Sequence, residues 1–345
     1  MTGEYLKPQQ YLKNLIKTLI IDKKTLGPFE LVSDNYRLTS VDEGIYEFCP
    51  VDKNSDSAYV YSCGIHGNET APIEIINDMI SDIINGELIL KNPILFIFGH
   101  IDAMIAEARF IDDNLNRMFS GSYKNYPDNK IEAPRANVIE KSISSFFSKY
   151  KNLQRVHYDL HTAIRSSKYR RFAVYPCLEP GRSYCEKHFR LFSAMGIEAV
   201  LLMHKFSPTL SYFSSSTHGA DSFTLELGKV EKFGENNRDD FREAEVVLRS
   251  LLNGSEFKMP TSLPRLCQVK KELVRHHEDY QFFIADDTAN FTSYKKGEVL
   301  ASDLEETYKV EEDGEMIAFP NGKVKVGQRS GLILKEVELE DIDLK

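Results

Sequence analysis

Residues 63–70 read CGIHGNET, and His66 and Glu69, three apart, have a spacing that could hold a metal ion. An imidazole and a carboxylate suit zinc, but a hydrolytic zinc site needs a third protein ligand and leaves its fourth position to water. Alone, H-x-x-E is a weak signal. The best third ligand lies in VHYDLHTAIR, where a strand would put His157, Asp159 and His161 on one face and Val156, Tyr158 and Leu160 on the other. His161 is preferred because it falls at the strand's C-terminal end. His157 reads as a structural histidine deeper in the sheet, and Asp159 either as a carboxylate orienting a ligand from behind or as an ordinary buried hydrogen-bond partner. His204 and His218 compete for the metal, His100 reads as core or supporting, and His276 and His277 as a solvated pair.

Water activated by zinc needs a base, and SFTLELG offers one. Phe223, Leu225 and Leu227 face one way in a strand and Glu226 the other. A carboxylate inside an apolar strand is costly unless charged partners or a metal site receive it. Glu226 is therefore the candidate general base, the alternative being a buried ion pair with a lysine. In EARFIDDNLNRMF, Arg109, Asn116 and Arg117 share one polar loop, and Arg165 stands four residues after His161. Guanidinium forks bind carboxylates and can stabilise an oxyanion. The cluster points to an anionic substrate or, more plainly, to a surface ion-pair network.

These residues must be placed by strands and helices. AYVYS alternates as a buried strand ending at Cys63, and Ile73, Ile76, Ile80, Ile83 and Ile84 follow at helical spacing until Gly86. His66 and Glu69 thus sit in a strand-to-helix loop, at the sheet edge where α/β enzymes keep their chemistry. PILFIFGH, VHYDL, RFAVYP, AVLLM and SFTLEL read as further strands, with helices near 133–150, 182–195 and 238–252. That alternation implies an α/β fold, a mixed and largely parallel sheet flanked by helices. SYFSSSTHGA (211–220) reads as a Ser-rich loop. Beyond FKMPTSLP the pattern becomes short alternating runs divided by Asn-Gly and Ser-Gly turns, a smaller all-β domain. The expected division is 1–255 and 256–345.

The chain of 345 residues carries 43 basic and 52 acidic side chains, a net charge of −9, which disfavours nucleic acid and anionic membranes as partners. Five cysteines without a C-x-x-C pair indicate neither a disulfide framework nor a thiolate zinc site, and a reduced cytoplasm fits. No signal-peptide core or membrane-length apolar run is present.

Taken together, GIHGNE, DDNLNRMF, DLHTAIR and TLELGK resemble the succinylglutamate desuccinylase and aspartoacylase family of zinc-dependent amidohydrolases, built on a zinc-carboxypeptidase-like fold. The HTAIR and TLELGKVEKFG forms look like the desuccinylase branch. The resemblance implies one zinc ion per chain held by His66, Glu69 and His161, with Glu226 as base and proton shuttle. It implies that Arg109 polarises the scissile carbonyl, while Asn116 and Arg117 hold a substrate carboxylate. Asn114 stands where relatives often carry Asp; if it supports a zinc-bound histidine, its amide accepts a hydrogen bond but raises ligand basicity less. The implied reaction is hydrolysis of N-succinyl-L-glutamate to succinate and L-glutamate, the last step of arginine catabolism by the succinyltransferase route. The alternatives are another N-acyl-amino-acid amidohydrolase of aspartoacylase type, a carboxypeptidase, and a non-catalytic zinc- or carboxylate-binding protein.

Overall fold

Strand β4 (Ser57–Cys63) is buried along its whole length, as a strand covered on both faces must be. It occupies the middle of a sheet in the computed structural model, which describes residues 7–24, 26–52 and 54–344. Contacts divide the chain into two compact units, 1–162 with 206–259 and 163–205 with 260–345.

The first unit begins with α1 (Pro8–Lys13) and the antiparallel strands β1 (Glu30–Val32), β2 (Tyr36–Asp42) and β3 (Ile45–Pro50). After β4 come α2 (Thr70–Asn85), β5 (Ile94–Phe98), α3 (Ile101–Ile105), α4 (Glu132–Lys149) and β6 (Gln154–Ala163). Strands β7 (Phe172–Tyr175) and β8 (Ala199–Leu202), with α5 (Glu186–Ala194) between them, belong to the second unit. The first is completed by α6 (Leu210–His218), β9 (Asp221–Lys229) and α7 (Arg242–Asn253). Its strands run in the order β1-β2-β3-β5-β4-β6-β9, with β4 parallel to both β5 and β6. Parallel neighbours deliver their C-terminal ends to the same edge. The register pairs Ser62 with Asp159, so the loop leaving β4 and the end of β6 are neighbours.

Both faces of this sheet are covered. Ala58, Val60, Leu95 and Ile97 pack with Ala136, Ile139, Ile143 and Phe146 of α4 and Phe213 of α6. The opposite face carries Tyr61 against Phe96 and Tyr158, ring centroids 6.1 and 5.8 Å apart, and the Tyr61 hydroxyl donates to the Leu248 carbonyl of α7 at 2.9 Å. Helix α2 buries Ile73, Ile76, Ile80 and Ile83 and ends at Gly86 with φ +79°, the left-handed stop expected from its sequence.

One expectation fails. Residues 210–218 are helix α6, not a Ser-rich loop. The Thr209 hydroxyl accepts the Tyr212 N–H, and Gly219 closes the helix with φ +62°. The serines disfavour a helix in isolation, but here they turn inward. Ser211 bonds Thr224, and Ser214 bonds His157. Tertiary partners for polar side chains outweigh a weak propensity.

In the second unit β7 and β8 are parallel, and β8 is parallel to β10 (Arg265–Val274). The remaining strands are β11 (Gln281–Phe282), β12 (Thr292–Ser293), β13 (Val299–Asp303), β14 (Glu306–Lys309), β15 (Met316–Ala318) and β16 (Arg329–Val337). They form the antiparallel succession β10-β16-β15-β12 and a small sheet β11-β13-β14. Segment 163–205, which the sequence groups with the larger domain, is tied to the C-terminal strands because β10 supplies the ladder along β8. Among the described residues no helix is long and apolar enough to cross a membrane.

Candidate active site

The turn after β4 is shaped by two glycines. Gly64 adopts φ +60°, and a Cβ there would meet Met104 at 1.9 Å. A Cβ on Gly67 would lie 2.2–2.5 Å from the Ala103 and Met104 backbone, so only glycine lets the turn seat directly on α3. Residue 69 then enters α2 at its N-terminal cap, where its carboxylate is aimed back along the sheet edge.

That carboxylate is the hub of the site. Oε1 of Glu69 lies 2.8 Å from His66 Nδ1 and accepts from Arg109 Nη1 at 2.8 Å. Oε2 lies 2.8 Å from His161 Nδ1 and accepts the Thr162 N–H at 3.1 Å. Each histidine is held from behind by its other nitrogen: His66 Nε2 is 3.0 Å from Asn114 Oδ1, and His161 Nε2 is 2.9 Å from Asp159 Oδ2. With Nε2 as donor, each ring turns the Nδ1 lone pair inward. Among the described residues His66, Glu69 and His161 form a buried group whose ligand atoms all lie within 4.8 Å of one another. Two imidazole nitrogens, each ring backed by an acceptor, and one carboxylate held by N–H donors fit zinc. His204 is exposed, His218 bonds Ser144 at the end of α6, and neither belongs to the group.

Behind this group runs a buried polar chain. Asp159 Oδ1 accepts from Ser62 Oγ at 2.6 Å; Ser62 is 2.8 Å from His157 Nε2, and His157 Nδ1 is 2.8 Å from Ser214 Oγ. His157 is therefore a structural member of the sheet, and burial lowers its pKa to about 4. Burial likewise lowers His66 to about 4. Burial also pulls His161 down, but the charges of Asp159 and Glu69 outweigh it and hold the imidazole well above its ordinary value. For Glu69 burial opposes ionisation, yet the two histidines keep it well below the carboxylate range.

Glu226 behaves differently. On β9, beside β6, its Oε2 is buried without a hydrogen-bond partner. Burial, reinforced by the charge of Glu69, raises its carboxyl to about 7. Among the described residues no lysine pairs with it, and an acid group poised near neutrality is what proton transfer requires.

The remaining candidates divide. Asn116 is buried and its Oδ1 accepts the Leu210 N–H at 3.0 Å, so only its Nδ2 can serve an anion. Arg117 donates to the Asn116 carbonyl at 2.7 Å. Arg165 lies in the second unit, where its guanidinium is engaged by the carbonyls of Asp286 and Thr288. Sequence reasoning passed over Ser62, Ser214 and Glu132. The last had a readable signal, the N-x-x-E helix start of Asn129 and Glu132: Asn129 Oδ1 accepts the Glu132 N–H at 2.7 Å.

The pattern of the succinylglutamate desuccinylase/aspartoacylase catalytic domain matches residues 56–252, more than half of the chain. The chain belongs to that family. The family's barrel-sandwich hybrid domain matches residues 264–337. A succinylglutamate desuccinylase of Shewanella woodyi is 42% identical over 309 residues, covering 88% of each chain. One from Shewanella frigidimarina is 38% identical over 316 residues, 90% of this chain and 92% of the relative. A solved succinylglutamate desuccinylase of Vibrio parahaemolyticus superposes with TM-score 0.86 at 33% identity, covering 97% of both chains.

Proposed function

We propose that this chain is a cytoplasmic, zinc-dependent amidohydrolase that cleaves N-succinyl-L-glutamate to succinate and L-glutamate, closing arginine catabolism by the succinyltransferase route. The observation that carries the reading is the convergence of His66 Nδ1, His161 Nδ1 and the Glu69 carboxylate on one point, with Glu226 and Arg109 beside them. The family relatives named as succinylglutamate desuccinylases support the choice of substrate.

A zinc ion held by His66, Glu69 and His161 would supply Lewis acidity, acidifying a water and polarising the amide carbonyl. Glu226 accepts the proton of the attacking water on its unpartnered Oε2 and returns it to the departing amine nitrogen, without which the C–N bond breaks slowly. The Arg109 guanidinium, held at Glu69, donates to the carbonyl oxygen as charge develops there. Arg117 and the Asn116 amide nitrogen hold a carboxylate of the substrate. Asp159 and Asn114 keep the two imidazoles in the tautomer and orientation a cation needs.

The test is metal analysis coupled to an amide panel. The protein is expected to carry about one zinc per chain and to hydrolyse N-succinylglutamate with a kcat/KM at least roughly 10²-fold above N-acetylaspartate, N-acetylglutamate and dipeptides. A zinc-loaded protein that prefers N-acetylaspartate, or turns over none of them, overturns the assignment.

A further inference from the structure

Helix α4 begins with Glu132, a wholly buried carboxylate that the chemistry above does not use. Four donors converge on it. Oε1 accepts the backbone N–H groups of Ile111 and Asp112, each at 2.9 Å, and lies 3.0 Å from His100 Nε2. Oε2 accepts from Asn129 Nδ2 at 2.8 Å. Asn129 cannot reverse its amide, because its Oδ1 caps α4 by accepting the N–H groups of Ile131, Glu132 and Ala133 at 3.1, 2.7 and 3.0 Å. His100 in turn caps α3, its Nδ1 accepting the Ala103 N–H at 3.4 Å.

The segment this carboxylate grips runs from the end of α3 to Asn114 and has no regular structure. Its apolar side chains do not anchor it, since Phe110 and Ile111 are exposed. Its first residues are bonded back to α3, Ala108 N–H donating to the Ala103 carbonyl at 2.9 Å; beyond them the backbone is held by Gly67, whose N–H donates to the Arg109 carbonyl at 3.2 Å, and by Glu132. Arg109 is itself the first of those anchors, and its guanidinium donates to Glu69; Asn114, Asn116 and Arg117 follow in sequence. A buried acceptor that takes two consecutive N–H groups of a loop sets where the loop's neighbouring side chains can reach.

From this geometry we infer that Glu132 is a positioning residue, which fixes the 106–117 segment so that Arg109 and Arg117 are presented to the substrate. The inference rests on the substrate role assigned to those arginines. Glu132 touches neither substrate nor metal ligands and acts through the backbone of residues 111 and 112. Reach matters more than charge: aspartate keeps the negative group but withdraws it from the loop, whereas glutamine keeps an oxygen at the distance of the two N–H groups.

The experiment compares Glu132→Ala, Glu132→Asp and Glu132→Gln, alone and combined with Arg109→Ala, by kcat, KM, zinc content and melting. The expected order of KM elevation for the substrate is Ala and Asp at about tenfold or more, Gln within about threefold of wild type, with zinc per chain unchanged. In the Asp background, Arg109→Ala should lose much of its effect on kcat, because an arginine already displaced has less to lose. If Glu132 merely stabilises the fold, all three variants melt lower while folded molecules keep wild-type kinetics and the two substitutions multiply; that result overturns the inference. Should Glu132→Ala not fold, the Asp and Gln pair decides by the same criteria. Arg109→Ala and Arg117→Ala made alone separate the two levels: if neither changes kcat or KM, the arginine roles themselves fall, and if both do while Glu132→Asp does not, only the positioning role falls.

Discussion

Replacing Glu226 by glutamine separates catalysis from structure, because the two roles move stability in opposite directions. The folded carboxyl titrates at about 7 instead of its ordinary 4.5, burial being the first cause and the Glu69 charge the second. The folded state therefore holds this proton more tightly than the unfolded state. Its stabilising share is complete below pH 4.5, declines as pH rises to about 7 and is gone above it. A shift from 4.5 to about 7 corresponds to at most about 3.5 kcal/mol at ~1.4 kcal/mol per pH unit, less for the part of the side chain that water reaches. Glutamine has the same shape and never ionises. Metal-free Glu226→Gln should thus melt at or above the wild-type temperature at pH 8–9 and match it below pH 4.5. Its zinc content should be unchanged, while kcat falls by roughly 10²- to 10⁴-fold, the span of general acid–base catalysis. Melting across pH in chelator, metal analysis and steady-state kinetics make the comparison. If Glu226 were half of a buried ion pair, the same substitution would strand its partner and cost about 3–5 kcal/mol at neutral pH. A variant that melts well below wild type at pH 8 yet turns over substrate at a near-normal rate per folded molecule would refute the argument.

The ligand assignment and the turn geometry give two further expectations. His161→Ala should strip zinc from the protein, whereas His157→Ala should retain it, since His157 reaches His161 through Ser62 and Asp159 and is not in the metal-binding group; metal analysis after dialysis checks this, and an exchange of the two outcomes would overturn the face assignment of β6. Gly67→Ala should destabilise the fold by about 1–3 kcal/mol, because its Cβ would press on the Ala103 backbone, and denaturant melts showing no loss would contradict that contact.

Much of the site was legible because catalysis and folding use different alphabets here. His66 and Glu69 stand out where glycines interrupt an apolar strand-to-helix passage, and the period of two in VHYDLH separates His161 from Tyr158 without any coordinates. Glu226 is legible for the same reason, as a carboxylate in an apolar strand. Helix α6 was hidden because its serines find partners, Thr224 and His157, that only the tertiary structure supplies. Segment 163–205 reads as one more αβ repeat; its allegiance to β10 depends on strand pairing across about sixty intervening residues, which local periodicity does not encode. Glu132 carries the mark of a helix start, but its hold on the 111–112 backbone requires knowing where that loop lies.

The interleaving of the two units also dictates an order of events during synthesis. β7, α5 and β8 leave the ribosome before α6, β9 and α7, yet the strand that pairs along β8 arrives only afterwards. At translation rates of about 5–20 residues per second, the β10 side of β8 stands open for several seconds while the first unit receives its remaining elements. An open edge with the sequence AVLL is a template for strands of other nascent chains. A chain ended after α7 would keep His66, Glu69, His161, Glu226 and the arginine loop, but would leave that edge open permanently. Ending the chain there should therefore yield aggregates, and a usable expression boundary lies beyond β16.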